Sequence, residues 1–133
     1  KKLAFMNIIA IAAGGGGIPV FKKHGLHGID AVIDKDLASA CLAKSIGADM
    51  LLILTDVSCV YLNYGKKDQR QLNKLTINEA KRLLAEGHFP EGSMGPKIEA
   101  AIEFAEYGGK AIITNFSSLR TALAGKAGTV VTK

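Results

Sequence analysis

Tryptophan is absent from the 133 residues, and there are only three tyrosines and five phenylalanines. Surfaces that hold single-stranded nucleic acid stack bases on aromatics set among basic side chains. That pattern is missing, although the net charge is +5. The lysines and arginines are scattered, with KK at the start and KKDQR at 66–70 as the longest clusters. No nucleic-acid partner is expected. Cysteine is scarce as well. Cys41 and Cys59 make neither a CxxC pair nor a disulfide scaffold, and with His24, His27 and His88 they show no zinc spacing. No protein metal site is expected, and two reduced thiols suit a cytoplasmic chain. No apolar run reaches the roughly 20 residues of a membrane span, and none reads as a signal peptide, so no membrane partner is expected.

What is present is a globular composition, 48% hydrophobic and 22% charged, of a length that suits one domain, residues 1–133. Four apolar runs read as strands: Asn7–Ala13, Met50–Leu54, Ala111–Thr114 and Thr129–Thr132. Met50–Leu54 does not alternate, which suggests a central parallel strand covered on both faces. Ala31–Ile33 is a candidate short strand, Lys22–Gly28 a loop, and Val57–Gln71 mostly loop. Asp34 or Asp36 is placed to cap a helix that buries Leu37, Cys41, Leu42 and Ile46 and stops at Gly47. Thr76-Ile77-Asn78-Glu79 is a capping box opening a helix that ends at Gly87. Pro96 suits the first turn of a helix buried along Ile98, Ala101, Ile102 and Ala105 and ended by Gly108-Gly109. Ser117–Ala124 reads as a short helix. The order predicts an α/β fold, a mainly parallel central sheet flanked by helices. Ligands then belong beyond the carboxyl ends of the strands.

The four consecutive glycines, Gly14, Gly15, Gly16 and Gly17, fail both common phosphate patterns. GxGxxG ends on Pro19 or Val20, and Gly125-Lys126 is followed by Ala127 rather than Ser or Thr. Their backbone can still approach an anion or form a nest of amides, and a plain strand-end turn fits equally. Lys97 stands in a first helical turn, where the helix dipole disfavours a cation. A bound anion would reverse that balance, and a solvent-facing lysine is the alternative. Lys35 lies between Asp34 and Asp36. The triplet suits either a surface turn or a lysine directed by carboxylates toward a transferring phosphoryl group. Asp56 ends a strand, a good place for a ligand group. Tyr61 and Tyr64 fit a base-binding wall or a cover on the core. The histidines read as loop or surface residues and Cys59 as a packing thiol.

Taken in order, GGGGIPV, AVIDKDLA, LLILTDVSCVYLNYGK, EGHFPEGSMGPKIEAAIEF, AIIT and GKAGTVV resemble the carbamate kinases of the amino-acid kinase family over essentially the whole chain. The resemblance implies that family's fold, here its C-terminal ATP/ADP-binding half. The family's first glycine-bearing phosphate segment has no counterpart before Lys1. The N-terminal portion that binds carbamate and builds the homodimer is therefore expected to be absent. The activity implied is reversible, Mg2+-dependent phosphoryl transfer between ATP and carbamate, giving ADP and carbamoyl phosphate. Lys35 and Lys97 would meet the phosphates, with Asp36 organising them. Thr55, Asp56, Val57, Tyr61, Met94 and Gly95 would lie near the nucleotide, and Gly14–Gly17 near the junction of the two substrate sites. Another amino-acid kinase with a different acidic acceptor, or a non-catalytic nucleotide-binding domain, shares these expectations.

Overall fold

The computed structural model describes residues 1–133. In chain order it contains α1 (Lys2–Phe5), β1 (Val20–Lys22), β2 (Leu26–Gly28), α2 (Lys35–Ile46), β3 (Met50–Thr55), β4 (Val60–Leu62), β5 (Arg70–Leu72), β6 (Lys74–Thr76), α3 (Ile77–Ala85), α4 (Met94–Tyr107), β7 (Lys110–Asn115), α5 (Leu119–Leu123) and β8 (Thr129–Thr132). The main sheet has the order β3-β7-β8-β6, and β1-β2 and β4-β5 form separate two-stranded ribbons.

The sheet is mixed rather than mainly parallel. β3 with β7 and β6 with β8 are parallel, whereas β7 and β8 are antiparallel, with Ile113 opposite Thr129. The cause lies in the connection. A parallel return needs a crossover that carries the chain back along the sheet. α5 has 5 residues and at 1.5 Å per residue spans only about 8 Å. The six residues of β7 extend for about 20 Å. The chain therefore re-enters at the end where it left. β3 is an edge strand of this sheet, not a central one, and Leu54 is 44% exposed.

α4 is the helix on which the rest is assembled. It packs against α2, α3 and strands β3, β7 and β8. Its apolar residues at helical spacing, Ile98, Ala101, Ile102 and Ala105, are all buried, as is Phe104. Burying a side chain such as Ile98 completely is worth about 1.5–3 kcal/mol. Gly108 ends the helix in a left-handed conformation. The Thr76–Glu79 capping box is formed in both directions and starts α3. Asp34 caps α2 by accepting the amides of Asp36 at 2.7 Å and Leu37 at 3.2 Å, and Gly47 closes it.

The buried face of α2 matches the expected stripe only in part: Leu37 packs against the core and Ile46 is half-buried. Asp36, Ala40 and Ala43 face inward, while Cys41 and Leu42 are exposed. Helix separation is set by the side chains at the contact, and alanines let α2 lie close against α4. Two expected strands are not formed. Asn7–Ala13 and Ala31–Ile33 have no partner strand, and Ile9 and Ile11 are almost wholly exposed. Apolar character does not make a strand where no neighbour takes its amides and carbonyls. Two ribbons stand where loops were expected. Lys22–Gly28 holds the turn and second strand of β1-β2, and Val57–Gln71 contributes β4 and most of β5.

Candidate functional site

Packing α2 on α4 brings together charges 61 residues apart. Lys97 Nζ donates to Asp36 Oδ2 at 2.8 Å, and each side chain is 12% exposed. Lys35 Nζ lies 3.7 Å from the same oxygen and is largely exposed. Asp36 stands in the first turn of α2, where the dipole favours an anion, and Lys97 one turn into α4, where it does not. The ion pair offsets that cost. Two lysines share the Asp36 carboxylate, and the Asp34 carboxylate lies next to them, its Oδ1 2.7 Å from the Asp36 nitrogen.

The amides at the start of α4 add little to this. The Pro90 carbonyl accepts the amides of Ser93 and Gly95 at 3.2 and 2.8 Å, and Pro96 has no N–H. Ser93 makes no side-chain cap, and no acidic residue stands in the first turn. An anion here would meet lysine side chains rather than a nest of amides.

A cavity of about 140 Å³ lies at the start of α4, where Met94 reaches its wall. Val57, Tyr61, Tyr64, Phe89 and Met94 form its apolar wall, and Thr55, Asp56, His88, Pro90 and Ser93 complete the lining. An enclosed apolar cavity of about 150 Å³ admits one benzene ring; this one opens to solvent, so a flat two-ring base enters it with one edge outside. Thr55 Oγ1 donates to Asp56 Oδ1 at 3.0 Å. The Tyr61 hydroxyl lies 3.2 Å from Ser58 Oγ, and the Tyr61 and Tyr64 rings are tilted with centroids 5.7 Å apart. Met94 on the wall and Lys97 in the cluster are three residues apart, one turn of the same helix.

Of the residues singled out from the sequence, the structure groups Lys35, Asp36 and Lys97 in the cluster. It groups Thr55, Asp56, Val57, Tyr61 and Met94 around the cavity. Gly95 is buried behind the cavity wall, against the Pro90 carbonyl. Gly14–Gly17 are not on the lining. Gly16 and Gly17 abut Ile33, just ahead of the α2 cap, and a Cβ at Gly16 would collide with the Ile33 carbonyl. His88 lies in the loop between α3 and α4, as the sequence suggests. It is half-buried, lies on the cavity, and has Nε2 3.2 Å from Glu86 Oε2. Phe89, Pro90 and Ser93 also line the cavity, and no motif in the sequence marks them as lining. Their signal was the loop glycines around a phenylalanine, which is 3% exposed and pins that loop to the core.

The model of the amino acid kinase family matches residues 1–115. The chain belongs to that family. It is 55% identical over 125 residues to the carbamate kinase of Thermoplasma volcanium, covering 92% of this chain and 41% of that protein. It is 52% identical over 129 residues to the carbamate kinase of Thermococcus kodakarensis, covering 96% of this chain and 41% of that one. The structure superimposes on carbamate kinase from Giardia lamblia bound to AMP-PNP with a TM-score of 0.90 and 46% identity, over 99% of this chain and 42% of that chain. The chain thus spans about two fifths of the length of these relatives.

Proposed function

We propose that the chain is the nucleotide-binding part of a carbamate kinase. The reaction is reversible phosphoryl transfer between ATP and carbamate, giving ADP and carbamoyl phosphate. The observation that carries this reading is the single helical turn from Met94, on the cavity wall, to Lys97, which with Lys35 is held at Asp36. The nucleotide's base occupies the cavity against Val57, Tyr61 and Met94, with Thr55, Asp56 and Gly95 around it. Its phosphates reach Lys35 and Lys97, and Gly14–Gly17 form a turn at the edge of the acceptor site. Identities of 52–55% to carbamate kinases and the AMP-PNP complex of the Giardia relative support the substrate class.

The residue types suit the chemistry. A carbamate oxygen already carries negative charge, so its attack on the γ-phosphorus needs no strong general base. As that P–O bond forms, the bond to the ADP oxygen breaks. The task left to the protein is alignment and charge compensation. Lys97, fixed by Asp36, holds its charge in one place, and the more exposed Lys35 follows the moving phosphoryl group. Magnesium is not caged by these residues. No three histidine, cysteine, aspartate or glutamate side chains are grouped to hold a metal, and Asp36 is engaged by lysines. When bound, magnesium would be held by the nucleotide phosphates and would neutralise part of their charge, with no dedicated protein cage required.

Carbamate recognition and a homodimer belong to the remainder of the whole protein, in the cytoplasm. The test is ATP formation by the full-length protein from ADP and carbamoyl phosphate with magnesium. Absence of ATP from folded protein sinks the reading. Transfer to a different acidic acceptor would make it another kinase of the family, and saturable ATP binding without any transfer a non-catalytic nucleotide domain.

A further inference from the structure

Thr129, in the GKAGTVV segment, lines no part of the nucleotide cavity, yet it is fully buried. Its Oγ1 accepts the Val60 amide at 2.7 Å and donates to the Leu72 carbonyl. Val60 and Leu72 face each other at the open end of the β4-β5 ribbon. One hydroxyl from the main sheet therefore holds both strands of that ribbon. Thr114 on β7, also fully buried, donates to the Ser58 carbonyl at 3.1 Å. Ser58 follows Val57 and Val60 precedes Tyr61, so the two attachments fall between two residues of the cavity wall.

Gly128 lets Thr129 take this position. Its φ is +79°, and a Cβ there would come within 3.0 Å of the Ile113 carbonyl and 3.2 Å of Thr114 Cβ. Only glycine brings β8 in so close to β7 at that angle. Buried donors and acceptors are costly to strand. Replacing either hydroxyl by a methyl leaves Val60, Leu72 or Ser58 without its partner.

We infer that Thr129, assisted by Thr114, is a positioning residue for the nucleotide. The two hydroxyls fix Val57–Tyr61, and with it the Tyr61 ring, relative to the lysines on α2 and α4. Neither threonine touches the reacting atoms. The inference rests on the reading of the cavity as the site of the nucleotide's base.

The test uses the full-length protein, with MgATP affinity measured by calorimetry and KM for each substrate by turnover. Thr129→Val raises the Kd and KM for ATP about tenfold, with kcat and the KM for carbamate little changed, whereas Thr129→Ser stays near wild type. An unchanged ATP affinity in a less stable T129V protein overturns the inference, as does T129S behaving no better than T129V. Should T129V not fold, Thr114→Val, which removes one hydrogen bond, must weaken ATP selectively, or the inference fails. Met94→Trp, which fills the cavity, separates the two levels. If it leaves ATP affinity intact, the cavity reading falls and this inference with it. If it weakens ATP while T129V does not, only the threonine clamp falls.

Discussion

Lys97 reaches Asp36 at 2.8 Å, and Asp36 is its only ion-pair partner. Asp36 has a second partner in Lys35 at 3.7 Å. This asymmetry gives different outcomes for removing either end. Asp36→Asn leaves a mostly buried lysine without its anion. Lys97→Met leaves an aspartate that Lys35 still approaches. D36N is expected to lose about 1–3 kcal/mol and more than K97M. Urea unfolding of both variants measures this, and equal or inverted losses refute the asymmetry.

Turnover follows the opposite order. On the proposed role of Lys97, Lys97→Ala removes a charge from the phosphates and is expected to lower kcat by about 100- to 1000-fold. D36N only frees the lysine and costs less. Lys97→Arg does not restore the rate, because a planar guanidinium cannot replace a point charge in this geometry. Steady-state assays of the full-length variants decide this, and wild-type turnover by K97A removes Lys97 from the mechanism.

Acid stability has a local source in the α3 cap. Glu79 titrates below its ordinary 4.5 because the Thr76 amide, and then the Thr76 hydroxyl, donate to it. A lowered folded value means the unfolded chain takes up the proton first. The contribution is complete above 4.5 and is lost as pH falls through the lowered value. Glu79→Gln should remove that part of the pH dependence. Melting curves from about pH 7 to about pH 3 test it. A parallel acid profile for E79Q and wild type would count against the cap as its source.

Ile98 is fully buried in α4 within the main core cluster. Ile98→Ala is expected to cost about 2–5 kcal/mol, from lost burial and a residual cavity. Leu42→Ala, on the exposed side of α2, should cost under about 1 kcal/mol. Denaturation midpoints of the two variants compare them directly.

The sequence by itself determined the features governed by neighbours a few residues apart. An aspartate cap on α2 (Asp34 or Asp36, which the structure resolves to Asp34), the Thr76–Glu79 box, the left-handed glycine stops and the Ile98–Ala105 stripe all follow from local hydrogen bonding and side-chain spacing. The ordered IDKD, TDV and GSMGPK segments were enough to indicate the family. Tertiary structure decided what depends on distant contacts. It turned β8 antiparallel through a helix too short to cross the sheet. It left Asn7–Ala13 unpaired and put Ala40 and Ala43 beside Leu37 on the inner face of α2, in place of Cys41 and Leu42. It also built the cavity wall from β3, β4 and the loop before α4, added His88 to it, and set Thr129 beneath the ribbon that carries Tyr61. The ion pair needs both levels: each partner stands in the sequence, but only α2 packed on α4 closes the 61-residue gap between them.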